Sequence, residues 1–421
     1  VHCYRARKLM SIQSKLKKIY ESIAPGLFVV GYIIGTGSVT SMIIAGARYG
    51  MSLTWALLLS CGFSWVMLIS IDRLTIVTGN TIIFNIREYM GRPLAVLIIM
   101  GLMVTVISSI SGVMGIVVEV TQETFLSLGM SKGNAILIAS IFLLFLLVIF
   151  FSGKHQIILK FMALMVALMG INFVLTNFLI VQEPKAILSG LVPSIAEGQP
   201  HLIIAGIVGT TMAAVVFVSR SSLVAESKWT IEKLKKENRD ALVAVCLTFF
   251  ISAAIMASAA GTLYVKGIMV ENAIEMVQAL QPLVGAFAIF ILLFGIISAG
   301  LSSIFPNMVL LPWLISDISH RERNLKSRTN RILVVLVCST GLFIPIFGGK
   351  PVAIMVASQA FSPLMMPLLV ISLLIMLNSK KVMGERTISK SFSFLLIVTL
   401  GFSLYMLVIA AEGYFGYFTE T

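Results

Sequence analysis

Apolar runs long enough to cross roughly 30 Å of hydrocarbon lie near 26–48, 52–71, 93–120, 134–152, 158–181, 203–225, 241–264, 283–316, 332–347, 352–377 and 392–411. They predict an all-α integral membrane protein with eleven transmembrane helices. Two of the runs carry a related interruption. The first holds Ile34-Gly35-Thr36-Gly37-Ser38 and the sixth holds Val208-Gly209-Thr210-Thr211-Met212, both mid-span where an uninterrupted helix would carry Leu. Lipid cannot satisfy the backbone groups that a break frees, so these segments must line a cavity. Past each break a new half-helix begins, with unpaired N–H groups and the positive end of its dipole facing the site.

An odd number of spans separates the two breaks, so the second set of five helices runs through the membrane in the opposite sense. This predicts a 5+5 inverted repeat with broken helices 1 and 6, the signature of a secondary transporter. The expected division is a cytoplasmic amino-terminal segment at 1–25, a first repeat at 26–181 and a second at 203–377. An additional helix at 392–411 lies outside the repeat and away from the chemistry. Polar connections near 182–202 and 226–240 bracket the second broken helix, and the second of them reads as a charged helix, Glu226 through Asp240.

Composition agrees with a membrane class: 58% of residues are hydrophobic, 12% are charged, and the mean hydropathy is +1.02. Basic residues fix the expected orientation. The amino terminus, the loops after even-numbered spans and the inner end of span five (Lys160) hold 25 of the 31 Lys and Arg residues, which places the amino terminus in the cytoplasm and the carboxyl terminus outside the plasma (inner) membrane. The net charge of +13 is spread over separate loops, so it reads as topology rather than nucleic-acid binding. The first apolar stretch lacks a cleavage site and reads as a span rather than a signal peptide. Cys3, Cys61, Cys246 and Cys338 are isolated, and the four His residues lie at loops or termini. Neither set supports a metal centre or a disulfide framework. An enzyme is not expected, since no nucleophile, base or metal cluster falls at a cavity-lining position.

The 18 Asp and Glu residues all fall in loops, in termini or near span ends. A hard divalent cation normally needs one or two carboxylates, and a softer one wants thioether, thiolate or imidazole. Proton relays through membrane also use Asp, Glu or His. Neither set is present at the breaks.

From Pro25-Gly26 to Gly79 the chain resembles the NRAMP divalent-metal transporters. Gly35-Thr36-Gly37-Ser38 stands where the family has D-P-G-N, followed by Ala45-Gly46-Ala47-Arg48-Tyr49-Gly50, Thr54-Trp55 and Val77-Thr78-Gly79. Gly209 to Val215 is similar to the family's G-A-T-x-M-P-H segment, with the second His at Arg220. Ser298 to Ser303 is similar to its S-G-Q-S-S, and Val382-Met383-Gly384-Glu385 to its L-M-G-E. The resemblance implies a LeuT-like fold. It also implies that the family's metal ligands fall at Gly35, Ser38 and Ala213, and its span-three acidic pair at Gly112 and Gly115. All five positions have lost the ligating group.

That loss suggests a substrate of reversed sign. The expected cargo is a small inorganic anion, with bicarbonate the first choice, held by N–H groups of Thr36 to Val39 and Thr210 to Ala213. Thr36, Ser38, Thr210 and Thr211 would add hydroxyl donors. Gly35, Gly37, Gly209 and Met212 complete the breaks, and Gln359 in the tenth span is a further candidate. Ser302 and Ser303 stand where this broken-helix fold often places hydroxyl ligands for Na⁺, which would drive an anion inward and cancel its charge. No other cofactor is expected, and the lipid bilayer and the ion are the expected partners of a monomer. Arg220 lies eleven residues past Gly209, roughly 16 Å along a helix, and reads as a cation snorkelling to the inner interface or lining an exit path. The alternative reading is a divalent carrier for Mg²⁺ or Mn²⁺ using carbonyls, hydroxyls and retained water. The 23 Met residues are dispersed and read as apolar filler.

Overall fold

The computed structural model describes residues 34–152, 168–177, 189–195, 198, 200–226, 234–272, 275–276, 286–319 and 323–420. The expected cytoplasmic segment 1–25 and the first half of span one lie outside them. Among the described residues the chain is helical and contains no strand. Its helices are α1 (Thr36–Tyr49), α2 (Thr54–Thr78), α3 (Ile82–Met90), α4 (Arg92–Ser127), α5 (Ala135–Ser152), α6 (Leu168–Asn177), α7 (His201–Thr211), α8 (Ala214–Glu226), α9 (Leu234–Ala259), α10 (Ala286–Ser319), α11 (Arg328–Ser339), α12 (Pro351–Ala360), α13 (Ser362–Asn378) and α14 (Lys390–Glu420).

Nine segments among the described residues are long and apolar enough to span a membrane, α7 and α8 counting together. With α1 and α6, which occupy the expected first and fifth spans, they account for the eleven runs. Burial separates the centre from the lipid face. The α7–α8 span is 89% buried, whereas α5 is 28% and α14 33% buried. A uniformly apolar helix such as α5 gains nothing by moving from lipid into the bundle, so small and polar residues decide what packs centrally.

Close approach is built from glycine. A Cβ on Gly46 would lie 2.2 Å from the Met256 carbonyl oxygen, which brings α1 against α9. One on Gly300 would lie 2.5 Å from Val117 Cγ2, which brings α10 against α4. Helix boundaries follow local chemistry. Gly79 takes the left-handed conformation (φ 71°) that ends α2, and the Thr81 hydroxyl accepts the Phe84 N–H to cap α3.

Two features differ from the sequence reading. The tenth span, expected as one helix over 352–377, is two, α12 and α13, meeting at Phe361 ahead of Pro363. The seventh ends in a π-helical turn, Ala260–Tyr264. The 226–240 connection, read from sequence as a charged helix, is helical at Glu226 in α8 and again from Leu234 in α9, while 227–233 lie outside the described residues.

Candidate substrate site

Between α7 and α8 the sixth span is unwound at Met212 and Ala213. Helical bonding resumes with the Phe217 N–H on the Ala213 carbonyl at 3.2 Å. The helix thus offers no acceptor to the N–H groups of Ala214, Val215 and Val216. The Ser362 hydroxyl accepts the first of these at 3.0 Å. On α1 the Val39 N–H bonds Gly35 O at 3.1 Å, so Thr36, Gly37 and Ser38 present the equivalent first-turn donors. The two half-helix starts converge on one cavity.

That cavity measures about 60 Å³, several times what one water molecule needs. Of the residues expected from sequence, Gly35, Gly37, Ser38, Gly209, Thr210, Ala213, Ser303 and Gln359 line it. Thr36, Val39, Thr211, Met212 and Ser302 do not. The three family ligand positions, Gly35, Ser38 and Ala213, therefore border the same cavity. Sequence reasoning missed Thr105 and Ser109 of α4, Asn307 of α10 and Met355 of α12. Their signal was polar residues four apart on apolar spans, Thr105 with Ser109 and Ser303 with Asn307.

Hydroxyl direction divides the cavity into two faces. Ser38 Oγ is buried without a hydrogen-bond partner, so its proton is available to a ligand. Thr36 Oγ1 is likewise unpartnered, but it faces the α1–α10 contact, 3.3 Å from where a Cβ on Gly300 would sit. Thr210, Thr105 and Ser303 have committed their protons to Ile207 O, Gly101 O and Ala299 O at 2.9, 3.2 and 2.7 Å. They turn only lone pairs to the cavity. The expectation that Thr210 and Thr211 donate to the cargo is therefore corrected. Thr211 Oγ1 reaches Ser60 Oγ at 2.5 Å, and the Thr211 carbonyl accepts from Ser64 Oγ at 2.8 Å. The open end of α7 is satisfied by α2 rather than by substrate.

Glycine shapes both walls. A Cβ on Gly37 would lie 2.4 Å from Met355 Cε and 2.8 Å from Gln359 Nε2, so Gly37 makes room for those two side chains. A Cβ on Gly209 would lie 1.9 Å from Gln359 O, a backbone atom. The positions of the family's acidic pair are closed: a Cβ on Gly112 would lie 3.1 Å from Met355 Cα, and one on Gly115 2.8 Å from Pro351 Cβ. Among the described residues no carboxylate, imidazole or thiolate lines the cavity, and no cluster of three such groups exists.

Arg220 corrects the snorkelling expectation. It is 1% exposed and pairs with Asp72 and Asp240, its Nη2 lying 3.0 Å from Asp72 Oδ2 and 3.5 Å from Asp240 Oδ2. The helices extend further than the hydropathy runs, so these acids sit inside packed helix rather than in loops. The neighbouring Ser221 meets Thr75 Oγ1 at 2.8 Å and accepts the Ile82 N–H at 2.8 Å. Ser222 accepts from Arg323 at 3.2 Å, and Arg323 holds Asp317 at 2.8 Å. Three consecutive residues thus tie the end of α8 to α2, α3, α9 and the end of α10.

The model of the natural resistance-associated macrophage protein-like (Nramp) family matches residues 26–411. The chain belongs to that family. Among Nramp relatives, it is 24% identical to a divalent metal cation transporter of Erwinia tasmaniensis, the match covering 96% of each chain. It is 24% identical to one of Deinococcus radiodurans, over 95% of this chain and 90% of the other. The Eremococcus coleocola manganese transporter superposes with a TM-score of 0.70 at 15% identity, covering 94% of this chain and 87% of that one. A nucleobase-cation-symport-1 family transporter in a closed conformation superposes at 0.60 and 15% identity, covering 93% and 90%. The likenesses establish a LeuT-like transporter fold. Nramp members are ion transporters, not enzymes.

Proposed function

We propose that this Nramp-family transporter carries a small inorganic anion, bicarbonate being the first candidate, by alternating access through the cavity between α1 and α8. The observation that carries the reading is the convergence of two half-helix N-termini and the unpartnered Ser38 hydroxyl on a cavity lined by no acid among the described residues. Unpaired N–H groups and two positive dipole ends stabilise a monovalent, acceptor-rich ion. They oppose a dication that must also lose hydration.

Kinship favours the second reading. The relatives named above are divalent metal or manganese transporters, and these names fit a divalent cation better than bicarbonate. The Met355 thioether, the Gln359 amide and the acceptor-only hydroxyls are the groups that would serve such an ion.

Uptake of ¹⁴C-bicarbonate and of Mn²⁺ into proteoliposomes of the purified protein, measured in parallel, separates the two. Bicarbonate uptake without Mn²⁺ uptake is expected; the converse sinks the anion reading. Gly35→Asp sharpens the contest, because a carboxylate there repels an anion and recruits a metal.

A further inference from the structure

We infer that the α4–α10 wall of the cavity is a binding site for an alkali cation, formed by Thr105, Ser303, Asn307 and Ser109. The residues are spaced four apart on each helix, so each pair presents one face. All four line the cavity and are at most 8% exposed. The decisive feature is proton direction. Thr105 Oγ1 donates to Gly101 O and Ser303 Oγ to Ala299 O, so what these hydroxyls turn toward the cavity is lone pairs alone. Asn307, one turn from Ser303, places a carboxamide among the lining residues of the same wall. Neutral oxygens at close quarters suit a weakly hydrated monovalent ion, whereas Mg²⁺ and Ca²⁺ draw on carboxylates.

The site differs from the sequence expectation in its members. Ser302 drops out, since it does not line the cavity. Thr105, Ser109 and Asn307 enter. Cation binding stands on these lone pairs alone; only its role, charge-balancing and driving an anion held by the half-helix N–H groups of the same cavity, rests on the anion reading.

Direct binding of ²²Na⁺ to the purified full chain tests the site without reference to cargo, with K⁺ competition run alongside. Wild type is expected to bind Na⁺ saturably. Asn307→Leu and the near-isosteric Thr105→Val should each raise the half-saturating Na⁺ concentration at least tenfold, Asn307→Asp should lower it, and Ser302→Ala should leave it unchanged. Thr105→Val nearly preserves the side-chain shape, so it keeps the test decisive if Asn307→Leu fails to fold. Failure of wild type to bind Na⁺ or K⁺, or unchanged Na⁺ affinity in folded Thr105→Val and Asn307→Leu, overturns the site. Bicarbonate uptake is scored separately. Its absence beside intact, variant-sensitive Na⁺ binding removes bicarbonate as the cargo and leaves the cation site standing.

Discussion

Arg220 and Asp72, 148 positions apart, meet in a two-point pair inside the protein. Nε lies 3.1 Å from Oδ1 and Nη2 3.0 Å from Oδ2, with both side chains 1% exposed. The fork geometry is the one arginine alone supplies. Because α8 is the second half of the broken sixth span, the pair anchors to α2 the element whose start faces the cargo.

Breaking a buried pair from one side leaves an uncompensated charge, at a cost of about 3–5 kcal/mol. Asp72→Ala and Arg220→Ala are each expected to lower the thermal midpoint of the detergent-purified protein sharply. Arg220→Lys should recover only part of the loss. The Asp72→Leu, Arg220→Leu double variant should be more stable than either single one. Additive single effects in that cycle would show that the two residues act independently.

Gly209 and Gly37 should respond differently to the same methyl group. At Gly209 the Cβ meets a backbone carbonyl, Gln359 O, that cannot step aside, so Gly209→Ala should cost about 1–3 kcal/mol of stability. At Gly37 it meets the flexible ends of Met355 and Gln359, so Gly37→Ala should keep the thermal midpoint while driving both side chains into the cavity and cutting uptake at least tenfold. Equal melting losses in the two variants would contradict this division.

Much of the architecture was legible because membrane helices announce themselves by length and the breaks by Gly and Thr at positions lipid would not tolerate. The sixth-span break falls at Met212 and Ala213, beside the Gly209 cassette. What could not be read were relations between distant positions. Nothing near Arg220 in sequence names Asp72 as its partner, and apolar counting placed that acid at a span end because the run stops before the helix does. Hydroxyl direction was equally hidden: Ser38 and Thr210 look alike in a string of letters, yet one keeps its proton and the other gives it to Ile207 O. Thr105, Ser109 and Asn307 escaped notice because single polar residues in apolar spans commonly bond their own helix. Only packing shows that theirs share a cavity.

Restoring the three ligand positions tests the reversal of cargo charge. Gly35, Ser38 and Ala213 all line the cavity, so the Gly35→Asp, Ser38→Asn, Ala213→Met triple variant returns carboxylate, amide and thioether to one site. Bicarbonate uptake should fall at least tenfold and Mn²⁺ binding should emerge, read by isothermal titration. Undiminished bicarbonate uptake would place the anion elsewhere.

Gly112 and Gly115 make the last case, because the same argument that permits the triple variant forbids restoring the acids of span three. A side chain needs an empty cone beyond its Cβ, and at Gly112 that cone is filled by Met355 Cα at 3.1 Å and its N at 3.2 Å, at Gly115 by Pro351 Cβ at 2.8 Å. Separating α4 from α12 to admit a carboxylate would move Met355, which lines the cavity, and would bury the charge in an apolar seam beside Val113 and Ile116. Gly112→Ala should therefore cost about 1–3 kcal/mol, and Gly112→Asp more, with loss of folded protein in size-exclusion profiles. Uptake in folded Gly112→Ala should stay insensitive to an imposed pH gradient. A Gly112→Asp variant that melts like wild type and takes up cargo in response to a proton gradient would show that the seam can open, and that the lost acids were dispensable rather than excluded by packing.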